Sequence, residues 1–229
     1  MASTLLFDPS DTLLDLHALD PHFQRLFGRS GVRREWWAEL QRLALVDALT
    51  ENHRDFRRLA AAALAMIAER HRIRLRQSDI DEILDAFARL PPYPDAPESL
   101  ARLRGAGFRL VGLSNPDSEL TETQLRQAGL RQYFDAVLSA TDAAQPKPAT
   151  IPYRSAAERL GVDPSELRVV AGDYADLRGA LHSGCAAALL ERPGAMIDPD
   201  LEKPDIVASD LAALAERLVE VEMGQTFPG

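Results

Sequence analysis

The stretch TLLFDPSDTLLD spans residues 4–15 and decides the fold. Its first four residues form a short, largely apolar run, which is typical of a buried β-strand. The run stops at residues 8–11, DPSD, which all favour turns, so the strand ends in a loop there. The pattern predicts a buried first strand with Asp8 at its carboxyl end.

The next region, residues 16–90, has an almost wholly helical pattern. Its apolar residues recur at helical spacing, on one face Phe56, Leu59, Ala63, Leu64 and Ile67 and on another Ile80, Ile83, Leu84 and Phe87. Ser78 and Asp81 predict a capping box at the start of the last helix. Pro91 and Pro92 follow, and adjacent prolines cannot continue a helix, so we place a domain boundary here.

From residue 91 onward, predicted strands alternate with predicted helices. The strands are expected at residues 109–113, 136–139, 168–171 and 187–190, and the helices at 97–104, 119–127, 153–160 and 177–183. Such alternation is typical of a parallel sheet flanked by helices. We therefore predict a doubly wound α/β core, residues 1–15 and 91–229, with a helical cap, residues 16–90, inserted after the first strand.

The composition of 46% hydrophobic and 27% charged residues is that of an ordinary folded protein. The net charge of −9 provides no broad positive field, so we expect no nucleic-acid partner. No apolar stretch approaches the roughly 20 residues that cross a bilayer, and no secretory signal pattern begins the chain. We expect a cytoplasmic protein without a membrane partner; its oligomeric state cannot be derived from these patterns.

Four polar residues follow predicted core strands, namely Asp8, Ser114, Lys147 and Asp173. In open α/β sheets, ligands bind beyond the carboxyl ends of the strands. Each residue alone is ordinary for a turn or a surface. Together, a nucleophilic carboxylate, a hydroxyl donor, a cation and a second carboxylate predict a site for attack on an anionic centre.

Four segments resemble, in order, the four motifs of the haloacid dehalogenase superfamily: residues 8–15 (DPSDTLLD), 113–115 (LSN), Lys147-Pro148, and 172–176 (GDYAD). Residues 92–113 and 147–180 are also similar to that superfamily, including Tyr153 behind Lys147-Pro148. The resemblance implies a Rossmann-like core with a helical cap. Small-substrate phosphatases and 2-haloacid dehalogenases share this arrangement.

The resemblance also implies a hydrolase in which Asp8 attacks a small-molecule substrate and forms a covalent intermediate. Such an intermediate divides one difficult displacement into two easier steps. Thr12 and Ser114 would hold anionic oxygens, and Lys147 would neutralise the charge. Asn115, in the second motif, is counted with Ser114 among the catalytic and substrate-binding residues.

In the phosphatase branch of the superfamily, Mg²⁺ would be held by Asp8, the main-chain oxygen of Ser10, Asp173 and Asp176. Carboxylate oxygens suit this ion. Asp173 after Gly172 favours this branch, because the dehalogenases have a Ser-Ser-Asn pattern there. Our first expectation is therefore a Mg²⁺-dependent hydrolase of a small phosphorylated metabolite.

Two departures weigh against this expectation. Ser10 stands where the phosphatases carry an aspartate that protonates the leaving oxygen, and a serine hydroxyl is no general acid near neutrality. Asp11 tolerates unusual backbone angles and could substitute for that acid. Asp176 follows Asp173 by three residues instead of four. These departures keep open a catalytically silent family member that binds a ligand or partner.

The other enzymatic alternative is a metal-independent 2-haloacid dehalogenase with the same nucleophile. This branch needs no acid at Ser10, but a cap arginine helps to hold the departing halide. In this sequence the place of that arginine falls on Trp37, although Arg33, Arg34 or Arg42 could serve. Trp37 is thus a candidate substrate-binding residue.

Overall fold

The computed structural model describes residues 4–52, 54–143, 145–195, 198–200 and 204–224. The chain divides into two compact units. The first, which we call the core unit, comprises Met1–Asp15 and Pro92–Gly229. The second, the cap unit, comprises Leu16–Pro91 and so ends one residue later than the predicted helical insert.

The core unit contains a six-stranded parallel sheet. Its strands are β1 (Thr4–Phe7), β2 (Arg109–Ser114), β3 (Ala136–Ser139), β4 (Leu167–Ala171), β5 (Ala186–Leu190) and β6 (Ile206–Ala208). Their order in the sheet is β3-β2-β1-β4-β5-β6. The predicted doubly wound α/β fold is confirmed, and β1 lies where the strand order reverses, the usual position of a ligand site.

The central strands are buried on both faces. All residues of β1 and β4 are buried, which explains why each strand is a continuous, mainly apolar run instead of an alternating one. Leu6, Val111 and Val169 belong to one apolar cluster with Leu177 and Tyr153. This packing holds the strands, and therefore the loops at their carboxyl ends, in fixed register.

The cap unit consists of α1 (Asp20–Phe27), α2 (Val32–Leu49), α3 (Phe56–Arg70) and α4 (Gln77–Phe87). Trp36 is fully buried among these helices, and its indole N–H donates to the main-chain oxygen of Ala60 at 3.0 Å. The predicted capping box is wrong by two residues. The carboxylate of Asp79, not Asp81, accepts the N-terminal backbone N–H, that of Arg76, at 2.9 Å.

Among the described residues of the core unit, five α-helices flank the sheet: α5 (Ala96–Gly105), α6 (Ser118–Gln127), α7 (Thr150–Leu160), α8 (Tyr174–His182) and α9 (Leu211–Met223). Short 3-10 helices occur at Leu16–Leu19 in the cap unit and, in the core unit, at Arg131–Tyr133, Ala140–Ala143 and Pro164–Glu166. Neither β6 nor α9 is predicted by the patterns above. Within the described ranges, no helix has the length and apolarity required to span a bilayer.

Candidate active site

Asp8 and Lys147 meet at the carboxyl edge of the sheet, as the strand ends predict. Asp8 directly follows β1, and its backbone N–H donates to the main-chain oxygen of Val170 in β4 at 3.1 Å. The Nζ atom of Lys147 lies 3.0 Å from Asp8 Oδ1 and 2.7 Å from Asp176 Oδ2. One buried ammonium group therefore joins two carboxylates.

The electrostatics of this cluster suit a carboxylate nucleophile. Burial raises the pKa of Asp8, the attraction of Lys147 lowers it, and the negative charges of Asp176 and Asp173 raise it, so that the pKa is about 7. Burial alone would lower the pKa of Lys147, but the charges of Asp176 and Asp8 outweigh it, and the pKa is raised. Lys147 is thus positively charged at neutral pH, the pH range in which Asp8 loses its proton.

The side chain of Asn115 holds the backbone of Lys147. Its Nδ2 donates to the main-chain oxygen of Lys147 at 3.1 Å, and its Oδ1 accepts the Lys147 N–H at 2.7 Å. Asn115 directly follows β2, so this pair of hydrogen bonds fixes the loop that carries Lys147 to the end of a central strand. The geometry gives Asn115 a positioning contact; its predicted contact with substrate stays a prediction.

Asp176 is held by a second partner, the fully buried Tyr153. The phenol O–H of Tyr153 donates to the Asp176 carboxylate and lies 3.0 Å from the Asp176 main-chain oxygen. The main cause of the raised pKa of Tyr153 is burial. The phenol therefore stays protonated and can donate its hydrogen bond. A side chain at Gly179 would collide with the main-chain oxygen of Pro148, so only glycine lets α8 approach the Lys147 loop this closely.

Thr12 and Ser114 are buried, and their hydroxyl groups bond to the protein. The Thr12 Oγ1 accepts the backbone N–H of Gly172 at 2.9 Å, which ties the loop after β1 to the loop after β4. The Ser114 Oγ lies 3.0 Å from the main-chain oxygen of Pro116 and 2.6 Å from Thr121 Oγ1. These contacts order the loops; the predicted roles of both hydroxyls in holding anionic oxygens stay predictions.

Ser10 and Asp11 form the turn behind the nucleophile. Ser10 is buried, and Asp11 adopts a left-handed backbone with φ of 54°, as expected for an aspartate in such a turn. The phenol of Tyr93 donates to Asp11 Oδ1 at 2.9 Å. This hydrogen bond engages the carboxylate that could have replaced the missing acid.

Both aspartates of the acidic motif bond to other groups of the protein in this geometry. Asp173 caps α8, since its carboxylate accepts the N–H of Ala175 at 2.8 Å, and Asp176 is bound to Lys147 and Tyr153. Within the part of the chain that the structure describes, no three His, Cys, Asp or Glu residues are grouped to hold a metal ion. Binding of Mg²⁺ by Asp8, Ser10, Asp173 and Asp176 stays a prediction.

Trp37, the predicted substrate-binding residue, belongs to the cap unit. It is partly buried, and its ring centroid lies 5.9 Å from those of Trp36 and Phe87. Of the arginines considered for the halide, Arg33 pairs with Asp20 at 2.6 Å and Arg42 pairs with Glu39, while Arg34 is exposed. The predicted role of Trp37 in substrate binding remains a prediction.

Three residues around this site are missed by the sequence patterns, namely Tyr93, Asp95 and Arg192. The guanidinium of Arg192 donates to the main-chain oxygen of Thr12 and to the carboxylate of Asp95. The sequence could have indicated Arg192, because this residue comes two positions after β5 and therefore lies at the same sheet edge as Asp8.

Comparison with known proteins assigns the family. A model of the haloacid dehalogenase-like hydrolases matches residues 2–184. The chain is 30% identical to (S)-2-haloacid dehalogenase 4A of Burkholderia cepacia over 191 residues, 82% of this chain and 83% of that protein. The chain therefore belongs to the haloacid dehalogenase-like hydrolases, as the four motifs predicted.

Solved structures agree with this assignment. The L-2-haloacid dehalogenase of Xanthobacter autotrophicus is similar with a TM-score of 0.88 and 27% identity, over 96% of this chain and 99% of that one. The same enzyme with chloropropionic acid covalently bound also has a TM-score of 0.88, at 26% identity and the same coverage.

A phosphoglycolate phosphatase of Neisseria gonorrhoeae is similar in sequence over a shorter part of the chain: it is 35% identical over 102 residues, 44% of this chain and 42% of that protein.

Proposed function

We propose that this hydrolase is a 2-haloacid dehalogenase that displaces halide from a small 2-halocarboxylate with Asp8 as nucleophile and without a metal ion. The observation that carries the proposal lies in the first motif: Ser10 stands where a phosphatase needs a general acid, and the nearby carboxylate of Asp11 is bound by Tyr93, whereas a departing halide needs no proton. The similarity to dehalogenases over most of the chain supports it. This order of preference reverses our first expectation of a Mg²⁺-dependent phosphatase.

The reaction proceeds in two displacements. An Oδ atom of Asp8 forms a bond to C2 of the substrate, while the C2–halogen bond breaks and the halide leaves with the electron pair. Water then attacks Cγ of the resulting ester, and the bond between Cγ and the C2-bound oxygen breaks. The products are a 2-hydroxyacid and a regenerated Asp8 carboxylate; one water proton goes to the hydroxyl group and the other to solvent.

Lys147 serves this chemistry through its charge and position. Its ammonium group lies 3.0 Å from the attacking carboxylate and holds Asp8 in one orientation. It also lowers the pKa of Asp8 against the effect of burial, so that the nucleophile ionises near neutrality. A halide leaves as an anion that needs no proton, and this explains how the site can function with Ser10 in place of an acid.

The cap sequence bears on the leaving group. Arg33 and Arg42 are engaged by cap carboxylates, and Trp37 occupies the expected place of the halide-binding arginine. We therefore propose that no cap arginine makes a strong charge-assisted contact to the halide, and that the rate depends steeply on the intrinsic quality of the leaving group. We expect 2-bromo acids to react considerably faster than their 2-chloro counterparts.

The second candidate is hydrolysis of a small phosphate ester. The presence of Asp173 after Gly172 and the local similarity to phosphoglycolate phosphatase favour it. In this activity Asp173 and Asp176 would bind Mg²⁺ in addition to, or in place of, their present partners.

A single panel separates these candidates. Halide release from (S)-2-chloropropionate and (S)-2-bromopropionate is measured beside phosphate release from small phosphate esters, each with Mg²⁺ and with chelator. The control is Asp8→Asn, which preserves the size of the nucleophile. Halide release that needs Asp8 and survives chelation supports the proposal. Phosphate release that needs Mg²⁺ and Asp8, without halide release, would overturn it in favour of the second candidate.

A further inference from the structure

Arg192 lies buried beneath the loop that carries the nucleophile, at the end of β5. Its Nε and Nη2 atoms donate to the main-chain oxygen of Thr12 at 3.0 and 2.8 Å. Its Nη1 and Nη2 atoms donate to the two carboxylate oxygens of Asp95 at 2.7 and 2.8 Å. One planar guanidinium thus connects the nucleophile loop to the start of α5.

The carboxylate that holds Arg192 is itself fixed. Asp95 Oδ2 accepts the backbone N–H of Leu211, the first residue of α9, at 2.8 Å. Burial would raise the pKa of Asp95, but hydrogen bonds from Arg192 and from the Leu211 N–H outweigh it, and the pKa is lowered. The ion pair is therefore fully charged at neutral pH and is anchored to two helices of the core unit.

The same guanidinium also fixes a second point of the loop. Its central carbon lies 3.9 Å above the ring centroid of Tyr93, and the phenol of Tyr93 donates to Asp11 Oδ1. Asp11 has a left-handed backbone, which costs free energy and persists because surrounding contacts impose it. Arg192 thereby supports the loop at Asp11 through Tyr93 and at Thr12 directly.

We infer that Arg192 is a positioning residue that sets the conformation of residues 8–14 and thereby the orientation of the Asp8 carboxylate. Because Asp95 balances the charge of Arg192, we expect Arg192 to affect Asp8 through the conformation of the loop and not through its charge. At Thr12 its hydrogen bonds complement the one from Gly172 N–H to the hydroxyl, so both sides of this residue are held. A lysine at position 192 has no planar fork and cannot bind Thr12 and Asp95 in this bidentate way.

The test compares Arg192→Lys with a matched control in the same unit. Arg168 is also buried, pairs bidentately with Asp205, contacts Glu222 and donates to the main-chain oxygen of Ala187. It lies near the beginning of β4, at the opposite edge of the sheet from Asp8. Arg168→Lys therefore reproduces the loss of a buried arginine network without touching the nucleophile loop.

The first readout is backbone hydrogen exchange of peptides covering residues 8–14, which needs no substrate. We expect exchange to be about tenfold faster in Arg192→Lys and unchanged in Arg168→Lys. If Arg192→Lys fails to fold, Asp95→Asn tests the same link with a smaller change. Equal exchange of residues 8–14 in the arginine variants, or unchanged exchange in Asp95→Asn, would overturn the inference.

The second readout is kinetic and rests on the proposed function. With a 2-haloacid as substrate, we expect Arg192→Lys to lower kcat about tenfold or more with little change in KM. The reason is that a wrongly oriented Asp8 carboxylate weakens bonding to C2 in the transition state but not the binding of substrate. Arg168→Lys should change neither constant. A loss of kcat equal in both variants would contradict the inference. Absence of halide release in the unmodified protein would count against the proposed function alone, since the exchange readout still decides the role of Arg192.

Discussion

The loop after β1 and the segment after β4 each bring one aspartate to Lys147, and their surroundings differ. The carboxylate of Asp8 contacts Lys147 and keeps 16% of its side chain exposed. The carboxylate of Asp176 is 6% exposed, bonds to Lys147 at a shorter distance, and also receives the phenol O–H of Tyr153. The two carboxylates share one cation but not one environment.

The difference shows how one residue type can serve two roles at a single site. A carboxylate that is accessible and incompletely satisfied can attack a substrate, whereas one that is buried and multiply hydrogen-bonded holds its neighbours in place. In this family member, Asp8 fits the first description and Asp176 the second. Lys147 links them, so changes at the lysine should affect both loops.

Replacing Lys147 by methionine should have the largest effect. The change leaves two buried carboxylates without their cation, and breaking such a pair costs about 3 to 5 kcal/mol of folding free energy. The same loss of charge stabilisation would reduce turnover on the order of 1000-fold. Urea unfolding and halide release measure the two effects; a fully active and equally stable variant would refute the account of this cluster.

Neutralising the two aspartates in turn should separate their roles in stability. Asp176→Asn removes the charge that holds Lys147 and weakens acceptance from Tyr153, so we expect unfolding free energy to fall by about 3 kcal/mol. Asp8→Asn removes a carboxylate whose pKa is raised in the folded state to about 7, so its ionised form opposes folding above that pH. We expect this variant to be more stable than the unmodified protein at pH 8, by on the order of a few kcal/mol. Urea denaturation of both variants checks this, and equal destabilisation would show that the carboxylates are equivalent.

The pH profile should report the ionisation of Asp8. Burial raises its pKa to about 7, and only the carboxylate form attacks, so kcat/KM should rise with pH through that value. Below the midpoint the constant should fall about tenfold per pH unit, and Lys147 should stay charged well above it. An acidic limb with a midpoint near pH 4 would mean that the environment of Asp8 is not as described.

Removal of divalent cations should have the smallest effect. Because Asp173 and Asp176 already bond within the protein, we expect chelator to change halide release by less than about twofold. The measurement is the initial rate after dialysis against chelator, with and without added Mg²⁺. Restoration of a lost activity by Mg²⁺ would return the acidic motif to a metal-binding role.

The fold, and the positions of Asp8 and Lys147 at the ends of strands, could be predicted from the sequence because they depend on local patterns. The strand that ends at Asp8 and the lysine after β3 are recognisable from apolar runs and turn residues. A three-residue strand such as β6 carries too short a pattern to be predicted. The helix start at Gln77 was misplaced because Ser78 and Asp81 have the spacing of a capping box, while the actual bond comes from Asp79.

The contacts within the site could not be predicted, since they join residues distant in sequence; Asp176 was expected as a metal ligand, and Tyr153 was named only through the resemblance. Tyr153 and Asp176 are 23 residues apart, and Arg192 reaches Thr12 across 180 residues. Composition and periodicity do not encode such pairs. A rule restricted to the first residues after each strand of the sheet would have found Arg192, but its partner Asp95 precedes a helix.

The most direct test of the account is to find which aspartate becomes esterified during turnover. The protein is quenched with acid while it converts (S)-2-bromopropionate, digested, and analysed by mass spectrometry. We predict that the peptide containing Asp8 carries the added mass of a 1-carboxyethyl ester, formed between its carboxylate and C2 of propionate, and that the peptide containing Asp176 does not. An adduct on Asp176 with none on Asp8 would contradict the assignment of Asp8 as the nucleophile.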